Sequence, residues 1–288
     1  MKNKITIMDM FKDKQLEDFL KGQARRQRLV SLGETIRDTD VTDRYPHSYI
    51  YSKPGLGKTH TITKALEGSK HYVYHLSAAE SMFIFGVHLA VLNYSVPKSK
   101  SIMVVLDDAE NLLGTTENIN IFKNMLDGSK KYKYSKRLDA TIATFSDTIR
   151  EAVEFHCKDG EVGFSVPTDR FCFVFTSNIK LPTYQDLEKK RSASQYNRVM
   201  HLLAIRDRVR PVDFDLTEEE MWGWIADTVI SDNACPDTDP QVVKDALDFT
   251  YNNWSRLKTK SVRLIQQMCD EAKRHSNYIN IWEDDYVR

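Results

Sequence analysis

Residues 52–59 read Ser-Lys-Pro-Gly-Leu-Gly-Lys-Thr, and this stretch decides how the rest of the chain is interpreted. It matches the phosphate-binding pattern GxxxxGK(S/T) at every position except the first, where Ser52 replaces glycine. Small glycines let backbone N–H groups turn inward around phosphate oxygens, and a following helix adds its positive N-terminal end. A β-rich run before the stretch and a helix-like run after it favour this interpretation over a glycine-rich turn that matches by chance.

The residues of this loop have distinct chemical roles. Lys58 can reach the β- and γ-phosphates of a nucleotide as a mobile point charge, and the Thr59 hydroxyl can ligate Mg²⁺. Ser52 leaves the two inner glycines and the Lys-Thr pair intact. We therefore expect the chain to bind ATP and Mg²⁺, with the nucleotide held by Pro54, Gly55, Leu56, Gly57, Lys58, Thr59 and His60.

Two further strands end in polar residues that suit such a site. The apolar run 102–106 leads to Asp107, predicted to hold Mg²⁺ through its water shell, and Asp108, predicted to orient and polarise the attacking water. The alternative for this pair is an acidic cap on a strand-to-helix turn. Asn178 follows the strand 171–175 and can hydrogen-bond the attacking water or the γ-phosphate, or can simply form a turn.

The order of these runs along the chain predicts an α/β fold. Strand candidates at 47–52, 71–76, 102–106, 171–175 and 209–216 alternate with helical segments, which is typical of a parallel sheet. From Thr217, where a capping box Thr-Glu-Glu-Glu begins, the patterns are helical only. We therefore expect an N-terminal helical segment (1–44), an α/β core (45–216) and a small all-helical lid subdomain (217–288).

Composition excludes several classes of protein. Lys plus Arg and Asp plus Glu each number 41, so the net charge of zero argues against binding of nucleic acid or anionic membrane by bulk charge. The sequence has no apolar run long enough to cross a bilayer and no signal-peptide core at its N-terminus. Four scattered cysteines favour isolated buried thiols over a zinc site completed by His156. These features predict a reduced, cytoplasmic protein without membrane partners.

The motifs in this order resemble the AAA+ ATPase superfamily of P-loop proteins, over roughly residues 30 to 275. The resemblance implies a homo-oligomeric ring or spiral that binds ATP between subunits and uses its hydrolysis to move or remodel a macromolecule. The Asp107-Asp108 pair differs from the commoner Asp-Glu and is similar to the pair of bacterial replication initiators. Because the shorter carboxylate positions water less well, we expect a slow ATPase. The segment 163–167, Gly-Phe-Ser-Val-Pro, is similar to AAA+ proteins of bacteriophage genomes, which would place the chain in host cytoplasm.

The same resemblance assigns residues to the family's sensors and arginine finger. Asn178 matches the first sensor, and Arg263 matches the second. Arg208, or as second choice Arg206, matches the finger that reaches the phosphate of a neighbouring subunit, a role that suits a permanently charged bidentate side chain. The alternatives are an exposed lid arginine for Arg263 and a solvated basic turn for the other two.

Two segments are candidates for contact with a macromolecular client. Residues 83–86, Phe-Ile-Phe-Gly, match the position of a pore loop in peptide-threading AAA+ proteins, although a buried helix face is the favoured alternative. Residues 130–137 interleave basic residues with Tyr132 and Tyr134, which can grip phosphates and stack on bases, and a solvated loop is the slightly favoured alternative. The sequence thus predicts a motor, loader or remodeller in nucleic-acid metabolism. A protein-remodelling or assembly chaperone and a nucleotide-gated scaffold with little turnover are the alternatives.

Overall fold

The computed structural model describes residues 10–11, 13–77, 81–110, 112–127, 130–136, 142–158, 162–189 and 192–288. Strands and helices alternate as far as Phe214, and the chain is helical after it. The strands are β1 (Ser48–Ser52), β2 (Tyr72–Ser77), β3 (Ile102–Asp107), β4 (Lys131–Tyr134), β5 (Phe164–Pro167), β6 (Phe171–Ser177) and β7 (Arg210–Phe214). The α-helices are α1 (Asp13–Asp38), α2 (Lys58–Ala65), α3 (Met82–Ser95), α4 (Thr116–Leu126), α5 (Asp147–Glu154), α6 (Ala193–Arg206), α7 (Glu218–Ser231), α8 (Pro240–Asn252), α9 (Val262–Ala272) and α10 (Tyr278–Tyr286), with 3₁₀ turns at Ile142–Thr144, Tyr184–Glu188 and Trp254–Arg256.

Five of the strands form one sheet in the order β2-β3-β6-β1-β7. The pairs β2–β3, β3–β6 and β6–β1 are parallel, so these strands share one carboxyl edge. Strand β6 is buried along its whole length and β3 as far as Leu106, as expected for central strands covered on both faces. The α/β class and the central position of the apolar run 102–106 are confirmed.

A second, two-stranded sheet was not predicted from the sequence. Strand β4 pairs antiparallel with β5, and Tyr132 lies opposite Val166. The side chain of Tyr132 is 0% exposed, and its hydroxyl donates to the carbonyl oxygen of Met82 at 2.5 Å. Tyr134 is half-buried, with its ring 5.0 Å from Phe83. The expectation that Tyr132 stacks on bases is therefore wrong, because its ring is part of the hydrophobic core.

Residues 83–86 are likewise part of the core and do not form a loop. They lie in the first turns of α3, which Ser81 caps by accepting a hydrogen bond from the N–H of Ile84. Phe85 is fully buried, with its ring 5.4 Å from that of Phe122. The pore-loop interpretation is wrong, and the buried-helix alternative is confirmed.

The chain divides into two compact units. The first comprises Met1–Gly33, Ser52–Ala65 and Phe214–Arg288, so it joins most of α1, the loop after β1, α2 and the C-terminal helices α7–α10. The second comprises Glu34–Tyr51 and Leu66–Asp213, and contains most of the sheet with helices α3–α6. Among the described residues, no helix has both the length and the apolar character that crossing a membrane requires.

The helices of the first unit pack through a close crossing of α1 and α7. A β-carbon on Gly22 would overlap the backbone of α7, and one on Gly223 would overlap the backbone of α1. These two glycines therefore allow backbone contact between the helices, and the rings of Phe11, Phe19 and Trp222 pack together beside it. The predicted capping box at the start of α7 is confirmed, with reciprocal bonds between Thr217 and Glu220.

Candidate functional site

In the first unit, the loop between β1 and α2 has the backbone of an anion-binding turn. Gly55 and Gly57 have φ values of +81° and +72°, in the left-handed region that favours glycine. Lys58 and Thr59 are the first two residues of α2, and the N–H of Thr61 bonds to the carbonyl oxygen of Gly57 at 3.0 Å. The N–H groups of a first helical turn have no partner within their helix, so they are available to an anion.

The predicted phosphate-binding lysine lies inside this loop. Lys58 is 8% exposed, and its ammonium group lies 3.2 Å from the carbonyl oxygen of Ser52 and 3.3 Å from that of Lys53. The Ser52 hydroxyl is buried and donates to the Lys53 carbonyl oxygen at 3.1 Å, so the residue that departs from the motif ties down the start of the loop. Lys58 is thus held at the loop by backbone oxygens that a phosphate can replace.

The lid helix α9 contacts the same loop. The N–H of Val262 donates to the carbonyl oxygen of Gly55 at 3.2 Å, and a β-carbon on Gly55 would lie 2.7 Å from that of Ser261. Arg263 follows Val262 directly in the first turn of α9 and has an exposed side chain. Arg263, the predicted second sensor, therefore follows the residue that bonds to the glycine-rich loop.

A buried ion-pair network joins α1, α2 and α7. Arg26 bonds to Asp227 at 2.9 Å and to Asp232 at 2.6 Å, and Lys64 of α2 lies 3.0 Å from Asp232. Burial opposes ionisation of Asp232, but the hydrogen bonds and charges of Lys64 and Arg26 outweigh it and lower the pKa of that carboxyl. The exposed His60 lies 3.6 Å from the same carboxylate, so this predicted nucleotide-binding residue faces an acidic group. The network fixes the axis of the helix that follows the loop.

In the second unit, the carboxyl ends of β3 and β6 are bonded to each other. The hydroxyl of Thr176 donates to Asp107 Oδ1 at 2.6 Å, and the N–H of Ala109 donates to the Thr176 carbonyl oxygen at 3.1 Å. Asp107 Oδ1 also accepts from the N–H of Asp108 at 3.1 Å. One oxygen of Asp107 is thereby oriented by the protein, as is usual for a carboxylate that holds a metal ion.

Asp108 has an unusual backbone. Its φ is +52°, a left-handed conformation that a residue other than glycine rarely adopts and that aspartate tolerates best. Its side chain is exposed at the carboxyl edge of the sheet. Such conformations cost of order 1 kcal/mol and cluster at functional sites. Asp13, Asn233 and Asp237 share this conformation, so the role of Asp108 stays a prediction.

Glu110 is a member of this cluster that sequence reasoning missed. Its Oε1 accepts from the Ser177 hydroxyl at 3.0 Å and from the backbone N–H of Asn178. The carboxylate therefore fixes the turn that carries the predicted first sensor. A local signal was available, since Glu110 stands three residues after Asp107 in the same acidic turn. Its two partners, however, lie 67 and 68 residues further along the chain.

The two arginine-finger candidates make contacts within their own chain. Arg208 donates to the Ala204 carbonyl oxygen at 2.6 Å and to Asp127 at 3.2 Å. Arg206 donates to the Leu181 carbonyl oxygen at 3.2 Å and lies 3.7 Å from Asp213. Both guanidinium groups are partly exposed. Which of them serves a neighbouring subunit stays a prediction.

The donor atoms present fit a nucleotide with Mg²⁺. In the part of the chain that the structure describes, no group of three or more His, Cys, Asp and Glu side chains is arranged to hold a metal alone. Mg²⁺ bound with phosphates needs only one or two protein oxygens. The first unit offers the Thr59 hydroxyl as such a donor, and the second unit offers the Asp107 carboxylate. The left-handed glycines supply a backbone that a phosphate can approach closely.

Comparison with known proteins gives similarities at the level of solved structures only. No protein-family model and no curated protein sequence matches the chain significantly. The structure of the Aeropyrum pernix Orc1 protein in complex with DNA has a TM-score of 0.45 and 11% identity, covering 91% of this chain and 64% of that one. A Thermotoga maritima RuvB mutant gives 0.42 and 12%, with 92% and 69% covered. Domain III of the T. maritima replication initiation protein DnaA gives 0.43 and 12%, with 100% and 99% covered. Similarity at this level does not assign the chain to a family.

Proposed function

We propose that this chain is a Mg²⁺-dependent AAA+ ATPase. The observation that carries the proposal is the loop 52–59, in which two left-handed glycines lead into a helix that begins with Lys58 and Thr59. The exposed Arg263 on the helix that contacts this loop adds a cation where a γ-phosphate would need one. A turn that matched the motif by chance would have no reason to combine these features.

The proposed roles follow the chemistry of each side chain. Lys58 binds the β- and γ-phosphates, and Thr59 and Asp107 are the protein ligands of Mg²⁺. Asp108 accepts the proton of the attacking water, Asn178 orients that water, and Arg263 neutralises charge that develops on the γ-phosphate. Mg²⁺, when bound, would supply positive charge that offsets the negative charge of the phosphates.

We also propose that the ATPase acts as an oligomer on nucleic acid. The supporting observation is strand β4, where Lys131 and Lys133 are exposed on the face opposite the buried Tyr132. Exposed lysines at alternate strand positions form a basic stripe that can follow a phosphate backbone. The segment 83–86, which favoured a protein client, lies in α3 and not in a loop, with Phe85 and Gly86 buried and Phe83 and Ile84 half-buried. The net charge of zero is the remaining support for a protein-remodelling role.

The decisive experiment measures ATP binding and hydrolysis by purified protein with and without Mg²⁺. Lys58→Ala should weaken ATP binding at least about tenfold, since a charge-assisted interaction with phosphate is lost. Lys70→Ala is the matched control, because Lys70 is an exposed lysine that lies outside the loop and its helix and pairs with Asp40. Equal affinity in wild type and Lys58→Ala would disprove the proposed site.

A further inference from the structure

The helices of the predicted lid are α7–α10, and two of them donate hydrogen bonds to backbone carbonyl oxygens of the glycine-rich loop. The indole N–H of Trp224, in α7, donates to the carbonyl oxygen of Leu56 at 2.8 Å. The backbone N–H of Val262, in α9, donates to the carbonyl oxygen of Gly55 at 3.2 Å. Trp224 and Leu56 are both 0% exposed, so the first of these bonds is shielded from water. Two successive peptide groups of the loop are thus held by the lid.

Because a peptide bond is planar, a contact that fixes its C=O group also fixes the direction of its N–H group. The carbonyl group of Gly55 shares a planar unit with the N–H of Leu56, and the carbonyl group of Leu56 shares one with the N–H of Gly57. The described peptide bonds are trans, so the C=O and N–H of each unit point in opposite directions. When α7 and α9 donate hydrogen bonds to both carbonyl oxygens, the N–H groups of Leu56 and Gly57 point away from α7 and α9.

Without such restraints these peptide groups would rotate easily. Gly55 and Gly57 flank them, and glycine has no β-carbon to limit φ and ψ. Gly55 is further restricted by Ser261, whose β-carbon would be 2.7 Å from one on Gly55. A loop that binds phosphate through N–H groups loses affinity in proportion to the time those groups point elsewhere. Hydrogen bonds that fix the C=O groups of these peptide units therefore also hold their N–H groups in the orientation that binds phosphate.

We propose that the Trp224 indole and the Val262 amide are positioning groups for phosphate binding, which act by fixing the directions of the Leu56 and Gly57 N–H groups. The inference rests on the proposed nucleotide site and adds to it a requirement for two lid donors. Neither donor touches the nucleotide. The lid thereby controls the affinity of the loop for phosphate from the face opposite the ligand.

The chain offers a matched pair of tryptophans for the test. Trp222 and Trp224 lie two residues apart on α7, are 1% and 0% exposed, and both pack against aromatic rings. The indole N–H of Trp222 has no hydrogen-bond partner among the described residues, whereas that of Trp224 has Leu56. Replacement by Phe removes the N–H in each case and keeps an aromatic ring. Only Trp224→Phe should then disturb the loop.

The second donor can be removed without touching a side chain of the loop. Val262 is the first residue of α9, where proline is tolerated because that N–H has no partner within the helix. Ser261 is extended, with φ −156° and ψ 160°, as a residue before proline prefers. Val262→Pro therefore deletes the donor and is compatible with the first turn of α9, while its Cδ takes the place of the N–H hydrogen and makes the Gly55 carbonyl group turn away. Thr116→Pro, at the exposed first residue of α4, is the matched proline control.

The experiment is a titration of a fluorescent ATP analogue into the full chain and its four variants, with thermal unfolding recorded for each. We expect Trp224→Phe and Val262→Pro to raise the dissociation constant about tenfold, the effect of losing one buried hydrogen bond, and the two controls to stay within about twofold of wild type. In protein labelled with 5-fluorotryptophan, the Trp224 resonance should shift on ATP addition more than that of Trp222.

If both test variants fold and bind as tightly as their controls, the inference is wrong while the proposed ATPase stands. If wild type does not bind the analogue, the proposed function itself fails.

Discussion

Gly86 of α3 lies so close to the ring of Tyr132 in β4 that a β-carbon on Gly86 would overlap the ring. The Tyr132 hydroxyl is anchored on the Met82 carbonyl oxygen one turn earlier in the same helix. Helix α3 and the β4–β5 hairpin are therefore joined by a ring packed on a glycine and a hydrogen bond beside it. Both contacts lie in the hydrophobic core of the second unit.

The contact makes Gly86 a position where a single methyl group is costly. Gly86→Ala should lower the free energy of unfolding by about 1–3 kcal/mol, because the ring must move or the helix must shift. Tyr132→Phe, which removes only the hydrogen bond, should cost about 1 kcal/mol. Urea unfolding of wild type, Gly86→Ala, Tyr132→Ala and the double variant Gly86→Ala/Tyr132→Ala gives the coupling energy between the two residues. A Gly86→Ala variant as stable as wild type would show that the ring does not rest on the glycine.

Substitution of the predicted catalytic carboxylate should separate ATP binding from turnover. Asp108→Asn keeps the size and hydrogen-bonding capacity of the side chain but cannot accept a proton from water. It should therefore bind ATP within a few fold of wild type and hydrolyse it at least about 100-fold more slowly. Asparagine also tolerates the left-handed backbone at this position, so the fold should be preserved. Hydrolysis at the wild-type rate would move the role of base to another residue.

Glu110→Gln tests the neighbouring carboxylate. The amide oxygen of Gln can still accept from the Ser177 hydroxyl and the Asn178 N–H, so turnover should fall only a few fold. Glu110→Ala removes the acceptor and should lower kcat about tenfold or more with little change in ATP affinity, since Asn178 is no longer held. If Glu110→Gln is as inactive as Asp108→Asn, Glu110 takes part in the chemistry directly.

Much of the α/β fold could be predicted because each central strand is a continuous apolar run with its own local signal. The runs 102–106 and 171–175 became β3 and β6, each extended to its polar end. The β4–β5 pair was missed although Lys131 and Tyr132 begin an alternating pattern. Strand β5 is only four residues long and lies about thirty residues further along the chain than β4. The position of Glu110 in the acidic turn is a local signal, but its contacts with Ser177 and Asn178 and the bond from Trp224 to Leu56 have none. They arise only when distant backbone groups meet.

An oligomeric site completed in trans predicts different behaviour for the two arginines. Arg208→Ala should reduce turnover at least about 1000-fold, the scale of an arginine finger, with ATP affinity unchanged within a few fold. Arg206 is the second choice for the finger, so Arg206→Ala should have a much smaller effect on turnover. Both side chains also make contacts within their own chain, so thermal unfolding of each variant checks that the loss of those contacts does not account for the result. The specific rate should also rise with protein concentration, together with the mass from light scattering. A monomer with a concentration-independent rate would exclude the finger, and the reverse order of effects would assign it to Arg206.

The basic stripe on β4 predicts salt-dependent binding of nucleic acid. Lys131→Ala/Lys133→Ala should lower the slope of log affinity against log salt by roughly 1.4 to 1.8, twice the value for one phosphate contact. Lys21→Ala/Lys273→Ala removes the same charge at exposed positions that pair with acidic neighbours and should leave the slope unchanged. Anisotropy titrations at several salt concentrations measure both. Lys130 and Lys136 extend the stripe, whereas Arg137 lies outside the described residues. No binding at low salt would make the hairpin a structural element only.

Stability should fall in mild acid because of a buried histidine. His47 accepts a hydrogen bond from the Phe173 N–H at 3.2 Å, and burial, aided by the charge of Lys130, lowers its pKa to about 3. Its ordinary value is 6.5, so below pH 6.5 the unfolded chain binds a proton that the folded chain does not. The stability contributed by neutral His47 is therefore present above about pH 6.5 and lost progressively as the pH falls towards 3. At pH 5 the loss is about 2 kcal/mol.

His47→Gln retains an acceptor for the Phe173 N–H and cannot titrate, so urea unfolding at pH 7 and pH 5 should show a pH dependence smaller by this amount. His156, whose pKa burial lowers to about 4, has the same sign and remains in both proteins. An identical pH dependence in the two proteins would show that His47 is protonated in the folded state or not buried.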